Sequence, residues 1–76
     1  MPVIHRDGGL RFIIYVDDHP PAHIHVEGNG GSAKIALADA DLIWSRGLGR
    51  RDVIRAVDVV RQEQTEFRIA WQKIHG

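Results

Sequence analysis

Val53, Ala56, Val57, Val60, Phe67, Trp71 and Ile74 share the three- and four-residue spacing of a helix in the last third of the chain. Side chains so spaced line one side of a helix, and that stripe has to be buried against something. From about Arg50 to Ile74 one continuous helix would run roughly 36 Å. Gln64 is the one polar interruption of the stripe. Gly49 is an acceptable N-cap, Asp52 suits the positive end of the helix, and Gly76 follows its last turn. A helix of this length needs an apolar sheet face to lie on, and the front of the chain has the matching pattern.

That front part alternates with a period of two and is punctuated by turn residues. A first strand is expected from Pro2 to Arg6, ended by Asp7-Gly8-Gly9. A second runs from Leu10 to Val16, stopped by Asp17-Asp18-His19-Pro20-Pro21, because proline donates no N–H and constrains its predecessor. His23 to Glu27 forms a third. Gly28-Asn29-Gly30-Gly31 supplies a hairpin connection whose positive φ angles glycine and asparagine tolerate. Ser32 to Leu37 returns as a fourth strand, Ala38-Asp39-Ala40-Asp41 turns, and Leu42-Ile43-Trp44 is a short last strand. The expectation is an α+β chain: a small antiparallel sheet of three to five strands with one long C-terminal helix packed across one face. Residues 1–76 then form one domain, β-rich over 1–45 and helical over 50–75. Phe12, Ile14, Val16, Ile24, Val26, Ala33, Ile35 and Leu37 would lie under the helix. The other face would carry Arg11, Tyr15, His23, His25, Glu27, Ser32 and Lys34, open to solvent or closed by another chain.

Composition narrows the function classes. The 76 residues contain no cysteine, which removes disulfides, thiolate metal sites and cysteine nucleophiles. Ten basic and ten acidic residues cancel, so wholesale electrostatic coating of nucleic acid is disfavoured, although a local basic patch is not. Neither a leader-like N-terminus nor a stretch of the ~18–20 apolar residues of a spanning helix is seen, so no membrane role and a cytoplasmic location are expected.

Three of the five histidines, His19, His23 and His25, fall within residues 19–25 around the Pro20-Pro21 step. On a strand His23 and His25 point the same way, with Cα atoms about 6.6 Å apart. With His19 from the loop and a carboxylate from Asp17, Asp18 or Glu27, they suit a divalent transition metal such as zinc, nickel, manganese or iron. The same histidines with Lys34 or Arg11 also suit metal-free acid–base cleavage of RNA, where Tyr15 would stack on a base. A third reading involves no catalysis. In it the histidine-rich face, with Arg11, Tyr15 and Glu27, docks a protein, while Arg46, Arg50 and Arg51 near the helix start hold phosphate, nucleic acid or an acidic partner. Mixed charges further along the helix, Arg55, Asp58, Arg61, Glu63, Glu66 and Arg68, weaken a groove-reading role. Trp71 and Phe67 belong to the apolar stripe, and neither His5 nor His75 is assigned a role.

Met1-Pro2-x-Ile4, Gly9-Leu10-Arg11-Phe12-x-Ile14-Tyr15, Asp18-His19-Pro20-Pro21-Ala22-His23-Ile24-His25-Val26, Ala33-Lys34-Ile35 and a helix ending near Trp71 together resemble a family of short bacterial proteins, domain of unknown function 4160. The Asp-His-Pro-Pro-x-His-x-His-Val run is the most specific part of the likeness. The resemblance implies one half of a two-gene, toxin–antitoxin-like module. Its cognate partner would be a small protein of the domain of unknown function 2442 type, with self-association as a further option. The Ser45–Arg51 linker is richer in arginine than the family pattern implies.

Overall fold

The computed structural model describes residues 3–76. The first five elements are strands: β1 (Val3–Asp7), β2 (Leu10–Ile13), β3 (His23–Gly28), β4 (Gly31–Ala36) and β5 (Leu42–Arg46). They pair in sequence order as one antiparallel sheet, β1-β2-β3-β4-β5. Two hairpin turns start this meander. Gly8 and Gly9 have φ of 57° and 81°, and Asn29 and Gly30 have φ of 48° and 87°. Two successive positive φ angles are the type I′ geometry that matches strand twist. The two turns are tied together by Asn29 Nδ2, which donates to Gly8 O at 3.0 Å.

Two helices follow, α1 (Arg50–Gln62) and α2 (Gln64–His75), where one was expected. Glu63 between them has φ −102° and ψ 16°, away from the helical values. The hydrogen-bond ladder persists nonetheless, with Glu63 N–H donating to Val59 O and Phe67 N–H to Glu63 O, both at 2.8 Å. Gln64 accounts for the break in the apolar stripe. Its Nε2 donates to Leu37 O at 2.6 Å and Ala38 O at 2.8 Å, satisfying two carbonyls where the chain leaves β4. Gly49 is the N-cap of α1, and its carbonyl accepts from Val53 N–H.

The core lies between one sheet face and both helices. Phe12, Ile14, Ile24, Val26, Ala33, Ile35 and Leu37 meet Ala56, Val59, Val60, Phe67 and Trp71 there. Val16 does not join them and is 72% exposed. Strand β2 stops at Ile13, and residues 15–18 form a turn closed by Asp18 N–H donating to Tyr15 O at 3.1 Å. Val16 sits at the corner of that turn. Pro2, assigned from sequence to the first strand, lies outside the described residues. The last strand is longer than expected, reaching Arg46, with a register shift between Lys34 and Ile35 in its pairing to β4. No helix among the described residues is long and apolar enough to cross a membrane.

Candidate metal centre

Cross-strand partners share a face, so register defines what lies behind the core. Ile13 pairs with His25, His25 with Lys34, and Lys34 with Trp44. One step along, Arg11 pairs with Glu27, Glu27 with Ser32, and Ser32 with Arg46. This is the polar face read from alternation, with two differences. Ile13 is fully buried although it shares the histidine side. His23 is only 6% exposed, its ring 5.2 Å from that of Trp71. The face is therefore open along β3 and β4 but closed at the His23 end.

The loop before β3 makes the site. Its Pro20–Pro21 peptide is cis. Pro21 O accepts a hydrogen bond from His23 Nδ1 at 2.9 Å. A carbonyl only accepts, so Nδ1 carries the proton, and in the neutral ring Nε2 holds the free lone pair. That Nε2 lies 3.4 Å from Asp18 Oδ1, and His25 Nε2 lies 3.3 Å from the same oxygen. Asp18 Oδ2 accepts from Tyr15 N–H at 3.1 Å, which orients the carboxylate. Donor atoms of Asp18, His23 and His25 all lie within 4.8 Å of one another. Burial pushes the Asp18 carboxyl up, but the Tyr15 N–H and the neighbouring His25 and His23 outweigh it and hold it below the ordinary carboxylate value.

A second set of contacts supports the first. The Tyr15 ring meets His25 edge-on, with centroids 4.9 Å apart, and its hydroxyl donates to Glu27 Oε2 at 2.6 Å. Glu27 also faces Arg11, at 3.7 Å. The Glu27 hydrogen bond, with burial, pushes the Tyr15 phenol up to about 12. Tyr15 and Glu27 thus brace His25, and Glu27 is outside the converging group. Of Asp17, Asp18 and Glu27, it is Asp18 that joins the two histidines.

The remaining sequence candidates lie outside the converging group, some of them in the same cleft. His19 is exposed and lines the rim of a cleft of about 330 Å³, whose walls include Asp17, Asp18, His23, His25 and Lys34. It is outside the converging group. Arg46 lies over the Trp44 ring at 5.2 Å. Arg50 and Arg51 are exposed in the first turn of α1 and line a separate hollow with Arg55. Arg55 itself is held by Asp7, its Nε donating to Oδ1 at 2.6 Å. His5, unassigned from sequence, packs edge-on to Phe12 and Phe67. His75 stacks on Trp71 at 3.9 Å. Sequence reasoning missed Trp71 as the wall against His23, since nothing in the helical stripe says which member reaches past the sheet end.

A five-stranded meander backed by two helices, with a histidine–carboxylate cluster beside its third strand, defines the class. The chain belongs to the family described as a domain of unknown function (DUF4160), matching it over residues 9–72. The Asp18–Val26 run and the whole cleft lie inside that match. No curated protein matches the chain. No solved structure matches it either.

Proposed function

We propose that this chain binds one divalent transition metal ion through Asp18 Oδ1, His23 Nε2 and His25 Nε2. The donor spacing carries this reading. Ligand atoms about 2.1 Å from a shared ion at tetrahedral angles are about 3.4 Å apart. The two histidine-to-carboxylate distances are 3.4 and 3.3 Å. Without an ion the same spacing allows only a long hydrogen bond between His25 Nε2 and Asp18 Oδ1, at 3.3 Å. The buried, singly oriented His23 ring is a further support, because metal-binding imidazoles donate their other N–H to a carbonyl or carboxylate. Two nitrogens and one oxygen suit zinc, nickel, manganese or iron. Three protein ligands would leave at least one position of the ion open, and a bound ion would there polarise a substrate oxygen or activate water.

Titration of the purified protein with zinc, nickel and manganese, followed through the histidine-ring NMR signals, tests this. The expected result is one ion per chain, with His23 and His25 perturbed together. Asp18→Asn and His23→Ala should each weaken binding by at least about 100-fold, beyond the 10–100-fold typical of losing a supporting residue. His19→Ala should leave affinity nearly unchanged. Absence of any saturable change at micromolar metal would overturn the reading.

A protein-docking role in a two-gene module is a second reading, and the exposed apolar pair Leu42 and Ile43 on edge strand β5 favours it. An unpaired edge with apolar side chains suits strand addition by a small cognate protein. The two readings meet at Ile43, which also lines the cleft beside His23 and His25.

A further inference from the structure

We infer that the cleft beside Asp18, His23 and His25 binds the phosphate group of an anionic ligand, held between the metal ion and the Lys34 ammonium. This rests on the metal reading and adds the chemical class of what the centre meets. Lys34 lies between His25 and Trp44 in the sheet register. It lines the cleft, and it makes none of the ion pairs found among the described residues. Lys34 is a part-buried member of the cleft wall and pairs with no carboxylate among the described residues, so its ammonium is available to an anion.

Charge decides when that happens. Asp17 and Asp18 set two carboxylates against the single ammonium of Lys34 in the cleft wall, beside three imidazoles. Without metal the carboxylates oppose an anion. A divalent ion reverses the sign, and an oxyanion can then bridge ion and ammonium. The cleft's roughly 330 Å³ leaves room for a phosphate ester and not merely for water. His19, exposed and lining the same cleft, offers a further donor. Trp44, held under Arg46, borders the lysine on the far side.

The test uses the full chain with manganese as metal and inorganic phosphate as probe, read by phosphorus NMR. Manganese bound at the site should broaden the His23 and His25 ring signals. Phosphate should then show a saturable, protein-dependent broadening that is absent when the protein is metal-free. Lys34→Met should weaken phosphate binding by about 10-fold or more while leaving manganese affinity within about 2-fold, and Lys34→Arg should restore most of it. Acetate at equal concentration should compete poorly. Histidine broadening with no phosphate effect, or phosphate binding indifferent to Lys34→Met, would overturn this inference and leave the metal site standing. Failure of manganese, and of zinc and nickel in its place, to perturb the histidine signals would instead bring down the metal reading, and this inference with it.

Discussion

Tyr15 concentrates several roles in one side chain. Its backbone N–H orients Asp18, its ring abuts His25, and its hydroxyl is held by Glu27. It is the only tyrosine in the chain, so its ionisation can be followed directly by tyrosinate absorbance. The midpoint is expected near the value of about 12 set by Glu27 and burial. Glu27→Gln should bring it back toward 10. Because the folded-state value is raised, the folded protein holds this proton more tightly than the unfolded chain. The associated stabilisation is complete below about pH 10 and is lost as pH rises from about 10 through about 12. A phenol that titrates near 10 in the intact protein would mean that the Tyr15–Glu27 bond does not persist in solution.

At the scale of elements, the junction of the helices shows what a stripe in the sequence can and cannot convey. The apolar positions on both sides of Gln64 belong to one buried surface, and that much was legible. What was not legible is that Gln64 donates to two carbonyls of the β4–β5 turn, beside the non-helical Glu63 that separates α1 from α2. Gln64→Ala removes both donors and should destabilise the fold by about 1–3 kcal/mol, measurable by urea denaturation with little change in the slope. The strands tell a similar story. Asn29-Gly30 announces a hairpin because few residues accept two positive φ angles, and the alternation of β3 and β4 identifies the core face. Val16 misleads, since its β-branched side chain continues the β2 pattern while the Asp18 carboxylate is already closing a turn on Tyr15. In the histidine–aspartate cluster, the His23–His25 pair was legible from period two. The choice of Asp18 over Asp17, Glu27 or His19 was not, because it depends on how the proline loop folds back onto the strand.

For the molecule as a whole, an ion bound as proposed would join the loop before β3 to the strand itself, and through His23 to Trp71 in α2. Ligand binding to the folded state alone adds about 2.7 kcal/mol at a hundredfold excess over Kd. For a domain of this size that corresponds to a rise in Tm on the order of 10–20 °C. Zinc in such excess should therefore raise the melting temperature of the native protein and leave that of Asp18→Asn unchanged. An equal rise in both would place the zinc elsewhere.

The meander has one more consequence, which concerns the order of events in folding. Every strand pairs with its neighbour in sequence, so the sheet closes only short loops and needs no distant partner to begin. All three proposed ligands belong to the single stretch from Asp18 to His25. They can therefore come together as soon as β3 joins β2, while the helices are still finding their place. An ion captured then would act as a nucleus, and the docking of Trp71 against His23 would seal it in last.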